Sequence, residues 1–341
     1  EIDISALLYN LSTYQGIIPS GTRTLVMVKA SAYGGGSKEI STLLQYHKID
    51  YIGVAYADEG VALRRDGIDL PILVLNPDWN HLDIHKEYKL EPEVYSVKGL
   101  QAVRAFEIAS QSKLPIHIKL DTGMNRLGFR RQEIDGLIRE LSNYNYQVHS
   151  VFSHLAASDD PQKDEFTAYQ FAEFDKGYEA ITACIGYEPH RHILNSVGIL
   201  RHPDSAFEMV RLGKGIYGID LHEQYRHLFD RVHTLKAKIS QIKSIEPGST
   251  VGYNAVENIK HPKLIATVNI GYADGVFRTA GNGNCSFMIK GKLAPTIGNI
   301  CMDMFMLDIT NLSNIEVGDE VEIYGKNLHI EEIAAQMGTV P

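Results

Sequence analysis

Eight short apolar runs alternate with helix-type segments over the first 230 residues, and few chain layouts can take up that many buried strands. The runs are residues 25–28, 51–55, 71–75, 92–95, 115–120, 148–153, 192–195 and 207–211. Each is bounded by turn signals, the mark of a strand buried on both faces. Helix-type segments lie between them, among them 38–47, 58–66, 99–111, 132–141 and 163–185. The repetition predicts a (β/α)8 TIM-type barrel, with a doubly wound open sheet as the alternative. Near residue 231 the pattern changes to longer or alternating runs, with turns at 246–248, 281–284 and 290–291 and a helix at 331–337. That is the pattern of a mainly antiparallel β domain. Residues 1–6 are expected to add a strand to it before a first helix over 6–14. The domains are therefore placed at 7–230 and at 231–341 with strand 1–6.

The segment that draws chemical attention is Thr24-Leu-Val-Met-Val-Lys-Ala-Ser-Ala-Tyr-Gly-Gly-Gly-Ser37, where a buried run ends in a lysine and breaks into glycines. Lys29 sits at the carboxyl end of the strand, where α/β folds carry their active groups. Partial removal from water disfavours an ammonium, and the neutral amine can form a Schiff base with an aldehyde. Glycines 34–36 let backbone approach a ligand, and Ser37 is expected to cap the next helix. A solvated lysine at a barrel rim is the alternative.

Composition removes several function classes. With 44% hydrophobic residues in 341 the chain can bury a sizeable core, and a net charge of -9 gives no footprint for nucleic acid or an anionic membrane. No apolar run approaches the ~20 residues that span a bilayer, and the amino terminus lacks a signal-peptide pattern. Cys184, Cys285 and Cys301 are odd in number and lack metal-type spacing, so free thiols in the cytoplasm are expected, with no metal site. The chain begins at Glu1 and enters a strand-like pattern at once, which suggests excision from a longer polypeptide.

Polar residues recur at the expected strand ends. Pro115-Ile-His-Ile-Lys119-Leu-Asp-Thr-Gly-Met-Asn-Arg126-Leu-Gly128 reads either as a salt-bridged rim or as a site. Phe152-Ser-His154 offers a histidine that is structural or catalytic. Asn195-Ser196 opens a helix, as a simple cap or as a phosphate seat. Phe207-Glu-Met-Val-Arg211-Leu-Gly213 adds an arginine and a glycine turn. The β domain carries Thr250-Val-Gly-Tyr253, Gly271-Tyr272-Ala-Asp-Gly275 and Met302-Asp303, each of which alone could be packing and a turn.

In this order the motifs resemble those of the pyridoxal-phosphate-dependent alanine racemases, over nearly the whole chain. Lys29, Ala30, Tyr33 and Gly34 match the Lys-Ala-x-x-Tyr-Gly hallmark, and residues 119–128 match Lys-x-Asp-Thr-Gly-Met-x-Arg-x-Gly; Gly35 and Ser31 depart from the usual histidine and asparagine. The resemblance implies interconversion of L- and D-alanine through a pyridoxal phosphate aldimine on Lys29, with Lys29 and Tyr253 as bases on opposite faces of the substrate, and D-alanine going to peptidoglycan. It implies cofactor contacts from Tyr33, His154, Asn195, Ser196, Arg211 and Gly213, with Arg211 at the pyridine nitrogen. It gives Arg126, Met302 and Asp303 to the substrate, Lys119 (commonly carbamylated) and Tyr272 to supporting roles, and a homodimer whose sites are shared between subunits. His154 and Arg211 are expected to be the cations that lower the Tyr253 hydroxyl's pKa. Relatives usually continue to a further tyrosine that grips the cofactor phosphate, and some are fused behind a cell-wall ligase. An amino-acid decarboxylase of the same architecture is the alternative that Arg211 opposes, since those enzymes place an acid there; a non-catalytic pyridoxal-phosphate-binding protein is the other, opposed by the β domain with Tyr253.

Overall fold

The apolar runs become eight parallel strands in the computed structural model, which describes residues 1–219, 222–255 and 257–340. They are β1 (Arg23–Met27), β2 (Tyr51–Val54), β3 (Ile72–Val74), β4 (Leu90–Val94), β5 (Pro115–Lys119), β6 (Gln147–Phe152), β7 (His190–His192) and β8 (Met209–Leu212). Their order is β7-β6-β5-β4-β3-β2-β1-β8, the cyclic order of a (β/α)8 barrel. At the seam the Arg211 amide donates to the Leu194 carbonyl at 3.1 Å, and the Arg191 amide donates to the Glu208 carboxylate at 2.9 Å. Helices Ser37–Tyr46, Ala57–Arg65, Val97–Ser110, Ile134–Asn143 and Asp164–Ile185 intervene between strands. Ser37 is the first residue of its helix, and the cap position falls to Gly36 with no side-chain bond, so the expected Ser37 cap does not form.

Because successive strand residues point to opposite faces, every second residue lines the barrel interior, and the lining divides in two. Leu25, Met27, Tyr51, Leu73 and Met209 form an apolar cluster on one side. On the other, Glu93, His117, Lys119, Ser150, His192 and Arg211 are buried polar groups. This division explains the one misplaced strand. An apolar run predicts 192–195, but the strand is His190–His192, whose residues are polar, while Asn195 caps the helix Ser196–Arg201. Between β5 and β6 the register steps from Ile116↔Val148 to His117↔Ser150, so His149 is the extra residue of a β-bulge.

The chain divides into two units, one built on Leu8–Ile216 and the other on Glu1–Leu7 with the chain from Asp230 onward. In the second, β9 (Leu235–Ile245), β12 (Lys263–Val268), β13 (Ser286–Ile289), β14 (Lys292–Ile297), β15 (Phe305–Asp308) and β16 (Glu320–Tyr324) close an antiparallel barrel in the order β12-β15-β14-β13-β16-β9. A two-stranded ribbon, β10 (Thr250–Val251) with β11 (Glu257–Asn258), stands apart from that barrel's ladder. Lys290 and Gly291 both have positive φ, as a two-residue hairpin turn requires. Phe287 and Phe305, with ring centroids 5.0 Å apart, centre the core. The strand expected over 1–6 reduces to a single bridge, Ile2↔His233, because Asp3 accepts the Ala6 amide at 3.1 Å and the helix starts at Ile4. Asp220 and Leu221 of the expected barrel, and Val256 and Pro341 of the expected β domain, lie outside the described residues.

Phe287 has no exposed surface and ring neighbours inside a closed barrel. Phe287→Ala should therefore cost about 3–5 kcal/mol, read by urea denaturation; a loss below 1 kcal/mol would mean that this core collapses around the missing ring.

Candidate active site

Lys29 begins a backbone turn that L-residues avoid. Ala30, Ser31, Ala32 and Tyr33 have φ between 52° and 56°, four consecutive non-glycine residues in the left-handed region. At about 1–2 kcal/mol each that conformation costs roughly 4–8 kcal/mol, so something must hold it. Within the turn the Ala32 amide donates to the Val28 carbonyl at 2.9 Å, and the Gly36 amide to the Ser31 carbonyl at 2.9 Å. The Glu59 carboxylate does the rest: it accepts the Ala30 amide at 2.7 Å on one oxygen and the Ala55 amide at 2.7 Å on the other. Hydrogen bonds to a charged group contribute ~1.5–3 kcal/mol each, which is the scale needed. Lys29 is half-buried, and burial first, then the Arg126 guanidinium, push its ammonium below the ordinary range, against the pull of Glu59 and Glu93.

Arg211, on β8, is buried, and its donors face several acceptors. Nη1 reaches His192 Nδ1 at 2.8 Å and the His192 carbonyl at 3.0 Å; Nη2 reaches the Ser153 carbonyl at 2.6 Å, the Ile193 carbonyl at 3.2 Å and His154 Nδ1 at 3.1 Å. Burial pulls the guanidinium down to about 10, with Glu93 opposing, so it stays a cation at neutral pH. A guanidinium only donates, so His154 and His192 both accept through Nδ1. Burial and then Arg211 hold both rings well below the usual histidine range. His154 is therefore neutral, which corrects the expectation that it is one of the cations acting on Tyr253.

Lys119, at the end of β5, pairs with Glu93 at 3.4 Å and lies 5.3 Å from the Phe152 ring centre. Glu93 is fully buried; burial raises its carboxyl to about 7, with Lys119, Arg211 and Arg126 opposing. Lys119 thus has the buried Glu93 carboxyl as its partner. Arg126 is exposed on the loop after β5. That loop is closed by the Phe129 amide donating to the Lys119 carbonyl and the Asp121 amide donating to the Phe129 carbonyl, both at 2.9 Å. A Cβ on Gly128 would lie 2.5 Å from the Asp121 nitrogen, so the closure demands glycine.

Ser196, Gly213 and Tyr33 converge. The Gly213 amide donates to Ser196 Oγ at 2.9 Å, and a Cβ on Gly213 would stand 2.9 Å from the Tyr33 hydroxyl. Asn195 accepts the Gly198 amide at 2.8 Å and the Ser158 hydroxyl at 2.9 Å, so its side chain serves as the cap. Amine, cation and a hydroxyl-amide cradle thus sit at carboxyl ends of β1, β8 and β7. This donor set fits an aldehyde-bearing cofactor with a ring nitrogen and a phosphate.

In the second unit, Tyr253, Tyr272, Met302 and Asp303 are joined through one set of loops. Asn299 Nδ2 donates to the Tyr253 carbonyl at 2.9 Å, and the Tyr272 amide donates to the Cys301 carbonyl at 3.0 Å. A Cβ on Gly271 would come within 2.6 Å of the Cys301 and Met302 carbonyls and the Asp303 amide. Tyr253 is 70% exposed and Met302 58%.

Sequence reasoning did not single out Glu59, Glu93, Glu91, His117, Ser150 or His192. For Glu93 a signal existed: an acid inside the run 92–95, otherwise read as a buried strand; Glu91 lies just before that run, in a strand that begins at Leu90. Glu91, His117 and His149 also gather as three groups able to ligate a metal ion.

The family model of the alanine racemase N-terminal domain matches residues 2–220, and that of the alanine racemase C-terminal domain matches residues 232–341. The chain is similar to the alanine racemase of Clostridium tetani, 33% identical over 353 residues, covering all of this chain and 89% of the relative. Among solved structures it is similar to an alanine racemase of Clostridium difficile 630 (TM-score 0.92, 32% identity, 99% of this chain and 90% of that one). It is also similar to one from Bartonella henselae with covalently bound pyridoxal phosphate (TM-score 0.90, 27% identity, 100% and 94%). No helix among the described residues is long and apolar enough to cross a membrane.

Glu59→Gln puts an amide donor against a backbone N–H, so it should destabilise the protein by about 1–3 kcal/mol and speed hydrogen exchange at the Ala30 and Ala55 amides; unchanged protection there would remove Glu59 from its role. A second expectation concerns pH. The folded Glu93 carboxyl, near 7, binds its proton more tightly than an unfolded one at the ordinary 4.5. Its contribution is therefore present below 4.5 and lost as pH rises through 7. Glu93→Gln should flatten the stability profile in that window, measured by urea midpoints at pH 5, 6, 7 and 8, and a profile parallel to wild type would contradict it.

Proposed function

The chain belongs to the alanine racemase family of isomerases, and on that premise we propose that it interconverts L- and D-alanine with pyridoxal 5′-phosphate held covalently on Lys29. The observation that carries this reading is the placement of Lys29: an amine with its charged form disfavoured, fixed at a strand end by a strained turn, in the unit that also holds Arg211 and the Ser196–Gly213 cradle. When bound, the cofactor withdraws electrons from the substrate's Cα–H bond and makes that proton removable. The rest falls to the chain's own side chains.

Racemisation needs a proton taken on one face of Cα and returned on the other. Lys29 Nζ serves one face and the Tyr253 hydroxyl the other. A tyrosine's ordinary pKa of ~10 must be lowered for that work, and with His154 neutral the remaining cation of the expected pair is Arg211. Arg211, a cation already committed to fixed acceptors, would meet the cofactor's ring nitrogen without yielding it a proton, which would keep electron withdrawal moderate and disfavour side reactions. Tyr33, Ser196 and the Gly213 amide hold the phosphate, with Asn195 capping the helix beneath. Arg126 meets the substrate carboxylate together with Met302 and Asp303. Lys119, paired with Glu93, supports Arg126, and Tyr272 braces the Met302–Asp303 loop. The D-alanine formed supplies peptidoglycan, and the protein works in the cytoplasm.

We place Tyr253 in the site of a second copy of the chain. Support comes from the exposure of Tyr253, Met302 and Met304 together on the β unit, large side chains that gain by burial against a partner, and closed two-fold symmetry would give two equivalent sites. Mixing inactive Lys29→Ala with inactive Tyr253→Phe subunits tests this. A shared site puts both lesions in one site of the heterodimer and leaves the other whole, so activity should return to about half of wild type per heterodimer. No recovery after verified subunit exchange would place Tyr253 in its own chain's site.

A further inference from the structure

Beneath the candidate site a file of buried polar groups runs through the barrel interior from Arg211 toward the amino-terminal ends of the strands. Arg211 Nη1 reaches His192 Nδ1 at 2.8 Å, and His192 Nε2 lies 2.8 Å from Ser150 Oγ. Ser150 Oγ lies 2.6 Å from His117 Nδ1, and His117 Nε2 lies 2.7 Å from Glu91 Oε2. Four hydrogen bonds in series thus join a guanidinium on β8 to a carboxylate on β4.

With His117 a neutral ring, the identity of the two ends fixes every hydrogen between them. Arginine has no acceptor, so His192 accepts at Nδ1, and its ring, kept neutral, carries its hydrogen on Nε2. That hydrogen is donated to Ser150 Oγ. The serine's single hydrogen is then free for His117 Nδ1, which leaves the His117 hydrogen on Nε2, pointing at the Glu91 carboxylate. Every donor points from Arg211 toward Glu91, the arrangement in which serial hydrogen bonds polarise one another in the same sense. The bulge at His149 makes the file possible: the extra residue re-aims β6, so that Ser150 stands opposite His117 while His149 Nδ1 comes within 3.5 Å of Glu91. It also occupies the three groups that could otherwise ligate a metal, since His117 Nε2 presents a hydrogen and not a lone pair.

We propose that Glu91, at the opposite end of the barrel interior from the candidate site, is a positioning residue for Arg211, acting through His117, Ser150 and His192 in a hydrogen-bond file of fixed polarity. The carboxylate sets the tautomer of both histidines, and the tautomer of His192 decides whether Nδ1 can accept from Arg211. Reversal of the file would set an N–H of His192 against an N–H of Arg211 and turn the guanidinium away from the ring it faces. This inference rests on the reading that Arg211 faces the cofactor's ring nitrogen.

The test combines two readouts on the holoenzyme. With 15N-labelled histidine, nitrogen NMR of the wild type should show His117 and His192 neutral and protonated on Nε2; a hydrogen on Nδ1 of either ring overturns the proposal without any variant. Ser150→Ala cuts the file and Glu91→Leu removes its end. Each should raise the ratio of side transamination to racemisation by about tenfold, the lower range for loss of an outer partner of a site. The double variant should do no more than either alone, and Ser150→Thr, which restores a hydroxyl, should return the ratio toward wild type. If Glu91→Leu does not fold, Ser150→Ala with its threonine rescue decides alone. Arg211→Lys separates the failures. A changed ratio there, with Ser150→Ala folded and unchanged, refutes the file but keeps the reading of Arg211. An unchanged ratio in Arg211→Lys refutes that reading and the positioning role with it.

Discussion

A buried guanidinium is tolerable only where its donors are met, and the Arg211 side chain is met by the carbonyls of Ser153, His192 and Ile193 and by two imidazole nitrogens. Its own backbone amide also ties β8 to Leu194 beyond the end of β7. The same residue therefore helps close the barrel and presents a permanent charge near its carboxyl-terminal mouth. A buried ion is costly without partners, and the polar half of the interior exists around that requirement. Glu93 and Lys119 extend it toward the mouth, and His192, Ser150, His117 and Glu91 extend it inward.

Much of the architecture was legible because buried parallel strands are read from apolar runs. Seven of the eight runs land on their strands to within two residues at either end, and the antiparallel barrel begins at Leu235, shortly after the change of pattern near 231. The exception is instructive. β7 consists of His190, Arg191 and His192, and nothing apolar announces it. A strand whose inward residue bonds to a guanidinium looks like a loop to any reading that counts hydrophobic residues. At the amino terminus the reading failed for a different reason: Asp3 can cap locally, and a cap outcompetes a strand of a few residues.

For the candidate site, motif order pointed to Lys29, Arg211 and the Ser196–Gly213 pair, all of which lie in one unit. What it could not supply was conformation. The Lys-Ala-Ser-Ala-Tyr string carries no glycine until Gly34, yet four of its residues take positive φ. Backbone bonds within the turn and the distant Glu59, bridging the ends of β1 and β2, account for that. Charge states were equally hidden, since a histidine's neutrality depends on which atom faces an arginine, and no spacing encodes it.

The bulge at His149 has an evolutionary consequence. Substitution can change any side chain of the polar file, but alternation along a strand is a parity, and no exchange of one residue for another alters it. Placing His149 and Ser150 together on the inner face requires one codon more in β6 than a regular ladder against β5 would use. A lineage could therefore gain or lose the bulge itself only by an insertion or a deletion, and a barrel with a regular sixth strand is separated from this one by a step that point mutation does not offer.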